Sequence, residues 1–128
     1  MNTPTQSIVG HRVLLVEDDY FIATTMQGQF EDAGAQVLGP VPSVRAALAL
    51  IAATPDIDAA ILDINLQEEM VFSVADALQA RGIPFLFATG YDRTVIPQRF
   101  AHIRHYEKPV EPAQLIRILE RRDTAETE

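Results

Sequence analysis

Four places in the sequence hold side chains with chemistry to offer: Glu17-Asp18-Asp19, Asp63, Thr89 and Lys108. Each stands at the end of a stretch that reads as a strand. Taken singly, none is unusual. An acidic run is ordinarily a solvated helix start, where acids favour the helix dipole. An aspartate after a strand commonly caps a loop, a threonine there commonly turns, and a lysine before a proline commonly faces water. Brought to one place, they would do something specific. Neighbouring carboxylates raise one another's pKa unless a cation joins them. A site of oxygen ligands alone favours a hard ion such as Mg2+, which keeps several of its waters. A carboxylate beside such an ion and an ammonium group can attack a phosphoryl group, because phosphoryl transfer depends mainly on positioning and charge neutralisation. Lys108 would then neutralise phosphoryl oxygens, and the Thr89 hydroxyl would donate a hydrogen bond to one of them.

Whether they meet depends on the elements that carry them. Val13-Leu14-Leu15-Val16, Ala59-Ala60-Ile61-Leu62 and Phe85-Leu86-Phe87-Ala88 are unbroken apolar runs. They read as strands buried on both faces. Ala35 to Leu38 and Ile103 to Glu107 read as two shorter strands. Between them lie helical patterns. Ile22, Met26 and Phe30 form one stripe, stopped by Gly34, and Val44, Ala47, Leu48 and Ile51 form another behind Ser43 as N-cap. Val71, Val74, Ala75 and Leu78 make a third, closed by Gly82, and Leu115, Ile118 and Leu119 a last one, opened by Pro112. The stretch from Thr94 to Phe100 is weakly patterned and reads as a short or irregular helix. The segment after Asp63 reads as a polar loop.

Strands alternating with helices imply a parallel sheet covered on both faces. Five such units give an α/β, flavodoxin-like (βα)5 fold with strand order 2-1-3-4-5. Ligand sites in such sheets lie beyond the carboxyl ends of the strands, which is where all four stretches stand. The expected organisation is a disordered segment over 1–10, one domain over 11–122 and a polar tail over 123–128.

Composition narrows the function classes. The 128 residues suit one domain, and apolar residues at 48% can furnish its core. There is no cysteine, so disulfides, thiolate metal sites and cysteine nucleophiles are out. The net charge of −8 argues against a nucleic-acid partner, which calls for a basic footprint. No apolar run is long enough to span a bilayer, and Met1 to Ser7 does not read as a signal peptide. A cytoplasmic location without membrane attachment is the expectation. His11, His102 and His105 lack the spacing of a ligand cluster. Asp19 suits a helix N-cap as well as a metal.

Together the motifs resemble the receiver domains of two-component response regulators. The matching segments are Val13-Leu14-Leu15-Val16-Glu17-Asp18-Asp19, Ile61-Leu62-Asp63-Ile64-Asn65-Leu66, Phe87-Ala88-Thr89-Gly90-Tyr91 and Lys108-Pro109, in the family's order and spacing. The resemblance spans about residues 11 to 122. It implies that Asp63 is the phosphoacceptor in a phosphorelay, fed by a histidine kinase, a phosphotransfer protein or a small acyl phosphate. It implies a Mg2+ ion held by Asp18, by Glu17 through water, by Asp63 and by the backbone carbonyl of Asn65. Thr89 would be the switch hydroxyl, Lys108 the partner of the phosphoryl group, and the bond before Pro109 cis. The domain would catalyse only its own phosphorylation and dephosphorylation, without being an enzyme in the wider sense. With no output domain in 128 residues, a downstream protein would read the switched surface.

One position departs from the family. Three residues before the lysine, most receivers carry a tyrosine or phenylalanine that swings inward; this chain has His105, followed by Tyr106. The run from Pro84 to Tyr91 resembles the FAT GUY subgroup, whose members are often single-domain and linked to bacterial stress signalling. Tyr91, two residues after Thr89, is a candidate replacement for the switch aromatic. Two rival readings remain. A Mg2+-dependent phosphohydrolase working through an aspartyl-phosphate would usually need an acid two residues after the nucleophile, where Asn65 stands, and a cap that no insertion here supplies. An unphosphorylated receiver-like scaffold would have no reason to keep the full acidic, hydroxyl and lysine set.

Overall fold

In a computed structural model, residues 8–66, 69–90, 96–108 and 111–120 are described. The strands are β1 (Arg12–Val16), β2 (Gln36–Val41), β3 (Ala59–Asp63), β4 (Asn65–Leu66), β5 (Glu69–Met70), β6 (Phe85–Thr89) and β7 (His105–Glu107). The helices are α1 (Tyr20–Asp32), α2 (Val44–Ala53), α3 (Phe72–Ala80) and α4 (Pro112–Glu120). Five strands form one sheet in the order β2-β1-β3-β6-β7, with every pair parallel. Counting only those strands, this is the expected order 2-1-3-4-5.

The sheet is apolar on both sides because both sides are covered. On one face Leu14, Val16, Ala60, Leu62, Phe85 and Phe87 pack with α2 and α3; on the other Val13, Leu15, Ala59, Ile61 and Leu86 pack with α1 and α4. Alternate residues of one strand enter opposite cores, as the two-residue period of a strand requires. The expected stripes are the buried ones: Met26 and Phe30 on α1, Ala47 and Ile51 on α2, Val74, Ala75 and Leu78 on α3, Leu115 and Leu119 on α4. Ser43 caps α2, its hydroxyl accepting from the Ala46 N–H at 3.1 Å. Gly34 ends α1 at φ +98°, and a β-carbon there would lie 2.8 Å from Val9 Cγ2, so only glycine suits the position.

Two details differ from the sequence reading. β2 runs on through Gly39 and Pro40, joined by a cis peptide bond, to Val41. A register shift between Leu14 and Val16 absorbs the irregularity, with Gly39 at φ +96° against the Leu15 carbonyl. The region after Asp63 is not simply a loop: β4 and β5 pair antiparallel, Asn65 opposite Met70 and Leu66 opposite Glu69. The weakly patterned stretch 94–100, expected as a short or irregular helix, carries a single 3-10 turn, Gln98–Phe100, among its described residues. It is held by the burial of Phe100 rather than by a repeating stripe.

A tertiary cap ties α3 to α2. Arg81 donates from Nη1 to the Ile51 carbonyl at 2.5 Å and from Nη2 to the Thr54 and Pro55 carbonyls, each at 2.9 Å. These carbonyls lie at and just beyond the carboxyl end of α2, where a cation suits the helix dipole.

The packed structure also begins earlier than residue 11. Ile8 is fully buried with Phe30 and Val13, and the Gly10 N–H donates to the Gly34 carbonyl at 2.8 Å. The expected polar tail over 123–128 lies outside the described residues. Ile8→Ala should destabilise the fold by about 2–4 kcal/mol in urea unfolding. Val9→Ala, at a side chain 67% exposed, should change it by less than about 1 kcal/mol. Equal, negligible effects would mean that the segment before residue 11 is not part of the fold.

Candidate functional site

The carboxyl ends of β1, β3 and β6 lie side by side because these strands are adjacent in register: Val16 pairs with Leu62, and Asp63 with Ala88. The chain beyond each end is pinned. The Glu17 N–H donates to the Val41 carbonyl and the Ile64 N–H to the Ala88 carbonyl, both at 3.0 Å. Glu17 and Asp63 are thus fixed at the rim, and each is only 3% exposed. Asp18 is half-buried beside them.

Lys108 enters the same space from just beyond β7. Its Nζ lies 3.0 Å from Asp63 Oδ2, 3.1 Å from Glu17 Oε1 and 3.2 Å from Glu17 Oε2. One ammonium therefore serves two buried carboxylates. Backbone donors complete them: the Asp19 N–H reaches Glu17 Oε2 at 3.0 Å, and the Asn65 N–H reaches Asp63 Oδ1 at 3.3 Å. Asp19 turns away from the centre. It caps α1, its Oδ1 accepting from the Ile22 N–H at 3.0 Å.

The electrostatics follow from this crowding. Burial, then the charge of Glu17, push the Asp63 carboxyl up from 3.8 to about 7, against the hydrogen bond and charge of Lys108. For Lys108, burial works to lower the pKa, but hydrogen bonding and attraction from Asp63 and Glu17 outweigh it and raise the value. Among the described residues, Lys108 is the one cation paired with the cluster, which leaves it short of positive charge. A ligand oxygen from each of Glu17, Asp18 and Asp63 can be found within 4.8 Å of the others. Such a set, all oxygen and short of cation, fits a hard divalent ion.

The predicted residues are largely brought together. Glu17, Asp18, Asp63 and Lys108 converge. Thr89 closes β6, in register with Glu107, and Asn65 opens β4 with its side chain exposed. Tyr91 and Pro109, named for the switch and the cis bond, lie outside the described residues. His105 pairs in register with Phe87, on the side of the sheet that carries α3. Tyr106 packs on the opposite side, with Ile61 and Leu115. The β4–β5 hairpin beside Asp63 escaped the sequence reading, since two-residue strands leave almost no alternation to detect.

Neither known family models nor curated proteins give a match to the chain. Solved structures do. SdrG from Sphingomonas melonis Fr1 is 37% identical over 86% of this chain and 93% of its own, with a TM-score of 0.74. The BeF3-activated conformation of SdrG, from Pseudomonas melonis Fr1, matches at the same identity over 84% and 92%, with a TM-score of 0.70. A CheY-like response regulator receiver domain protein from Methanospirillum hungatei JF-1 is 26% identical over 92% and 98%, with a TM-score of 0.77. The chain belongs to the response regulator receiver family. In this receiver the acidic cluster and Lys108 stand at the carboxyl end of the parallel sheet, and no helix among the described residues is long and apolar enough to cross a membrane.

The raised Asp63 pKa has a consequence for stability. A carboxyl that holds its proton more tightly folded than unfolded favours the fold at low pH. That contribution is complete below 3.8 and is lost as pH rises through about 7. Ionised Asp63 therefore strains the metal-free receiver at pH 8. Asp63→Asn should raise Tm there, in chelator, by about 5 °C or more. The gain should shrink to roughly half or less at pH 5. A variant less stable than wild type at pH 8 would show that Lys108 fully compensates the charge.

Proposed function

We propose that this receiver is a phosphorylation switch in a two-component phosphorelay, with Asp63 as phosphoacceptor and Mg2+ as its cofactor. The observation that carries the reading is Lys108 Nζ held 3.0 Å from Asp63 Oδ2 inside a cluster of three carboxylates. That arrangement has a nucleophile, a fixed cation beside it and a place for a second cation. The relative SdrG, whose solved forms include a BeF3-activated one, supports it, since beryllofluoride imitates a phosphoryl group on a carboxylate.

An Asp63 carboxylate oxygen attacks the phosphorus of the donor. The bond from phosphorus to the leaving group breaks, and the leaving group departs with the electron pair. Mg2+, held by Asp18, Asp63, the Asn65 carbonyl and, through water, Glu17, would supply charge neutralisation for the phosphoryl oxygens. Lys108 gives up part of its pairing with Glu17 and Asp63 to meet the new phosphoryl oxygens. Thr89, at the end of β6, donates its hydroxyl to one of them. The added charge shifts a two-state surface around β6 and β7, which a downstream protein reads. The receiver catalyses only its own phosphorylation and dephosphorylation. We place it in the cytoplasm, and the run Phe87-Ala88-Thr89-Gly90-Tyr91 supports a place in the FAT GUY subgroup.

The donor in this reading is a histidine kinase or phosphotransfer protein. Tyr20 and Phe21, the first residues of α1 after the acidic run, are 73% and 79% exposed and meet edge to face at 5.8 Å. An exposed aromatic pair beside the pocket suits a protein surface better than a small donor.

Incubation with Mg2+ and a small acyl phosphate should add one phosphoryl group to the intact mass. None should appear with chelator or in Asp63→Asn. A wild type that neither gains mass nor consumes donor contradicts the reading and favours a scaffold. Tyr20→Ala/Phe21→Ala should slow transfer from a phosphorylated protein donor by about tenfold or more, leaving the rate from the small acyl phosphate within about twofold. Equal slowing with both donors would place the pair in the pocket's chemistry rather than in docking.

A further inference from the structure

Four phenylalanines of this receiver meet in one place. Phe72 stacks on Phe100 at 5.9 Å and meets Phe87 edge to face at 5.8 Å; Phe85 meets both Phe87 and Phe100 edge to face, at 5.6 and 6.1 Å. The four rings come from three parts of the fold, Phe85 and Phe87 both from β6. Phe72 is the first residue of α3, and the preceding Val71 N–H donates to the Ile64 carbonyl, next to Asp63. Phe87 lies two residues before Thr89 on β6. Phe100 ends the 3-10 turn, and Ile96 and Ile103 of the same segment pack on the same core. A shift at the carboxyl end of β6 therefore reaches Phe100 through rings in contact.

The segment has a second attachment, outside the core. Arg99 donates to Asp76 on α3 through Nε at 3.0 Å and Nη2 at 2.9 Å, a two-pronged pair. The same guanidinium lies 4.6 Å from the centre of the Phe100 ring. Both side chains stay about half exposed, at 53% and 49%. The pairing holds the Asp76 carboxyl below its usual range, through the Arg99 hydrogen bond first. When the ion pair opens, water can take both charges.

We propose that Arg99 and Asp76 form a latch that sets how readily the segment 96–103 leaves α3, and with it the threshold for switching at Asp63. The proposal rests on the phosphoacceptor reading and deepens it. Phosphoryl-dependent movement at the end of β6 has to displace Phe100, and the segment moves only when the latch lets go. The latch stabilises the unphosphorylated arrangement alone. Weakening it shifts the population toward the switched state without touching the pocket.

The test compares wild type with Asp76→Asn, Arg99→Gln and the exchanged pair Asp76→Arg/Arg99→Asp. Amide hydrogen exchange in metal-free protein reads the latch itself. The Phe100, Ala101 and Ile103 amides, which donate to Pro97, Gln98 and Phe100 carbonyls, should exchange about three- to tenfold faster in each single variant. Amides of β1 and β3 should be unchanged, and the exchanged pair should recover most of the protection. Titration with beryllofluoride and Mg2+ reads the coupling: the single variants should reach the activated spectrum at about three- to tenfold lower beryllofluoride. Unchanged exchange at 100–103 overturns the latch. Faster exchange with unchanged beryllofluoride affinity makes the pair a structural brace and overturns its regulatory role. A wild type that ignores beryllofluoride refutes the phosphoacceptor reading, and the threshold role falls with it.

Discussion

Glu17 and Asp63, both removed from water at the ends of adjacent strands, have one ammonium between them. Most of what distinguishes this receiver follows from that shortage. Two buried anions so close are costly, and the fold keeps them only because backbone N–H groups and Lys108 meet their oxygens. The compensation is partial, as the Asp63 carboxyl pushed up to about 7 shows. The remaining need for positive charge makes the pocket receptive to a divalent ion. A site that already tolerates crowded oxygens and lacks cation is suited to receiving a phosphoryl group, which brings more of the first and demands more of the second.

The parallel sheet is what makes the crowding possible. In β1, β3 and β6 the strands point the same way, so consecutive carboxyl ends deliver side chains to one rim, while the residues before them lie in two dry cores. Those cores hold the backbone in register, and register sets the distances between the rim groups. Positioning the carboxylates is thus a property of Val16, Leu62 and Phe87 as much as of the acids themselves. The same strands carry the response outward: Phe87 belongs at once to the sheet end near the pocket and to the ring cluster under the 3-10 turn.

Much of this was legible in the sequence. Unbroken apolar runs ending in Glu17-Asp18 and in Asp63 could be little else than buried parallel strands, and their ends had to meet. Ser43, Gly34 and Phe30 announced their roles by type and position. The hairpin after Asp63 left no trace, because two-residue strands carry no usable period. The turn at Gln98–Phe100 was visible only as weak patterning, because one buried ring secures it. The Arg99–Asp76 pair, 23 residues apart in sequence, and the Arg81 cap on α2 depend on tertiary placement that local pattern does not encode. The burial of Ile8 is not legible, since the pair Ile8-Val9 between Ser7 and Gly10 is too short to show a period or to tell which side chain turns inward.

The phosphoacceptor we propose is Asp63, singled out by the crowded charge around it. Borohydride converts an aspartyl phosphate to homoserine and leaves free aspartate alone, so peptide mass spectrometry after acyl phosphate, Mg2+ and borohydride reads the acceptor directly. Homoserine is expected at position 63, dependent on Mg2+, with Asp18, Asp19 and Glu17 unmodified. Modification at any of those residues instead, or at a histidine with Asp63 intact, would contradict it.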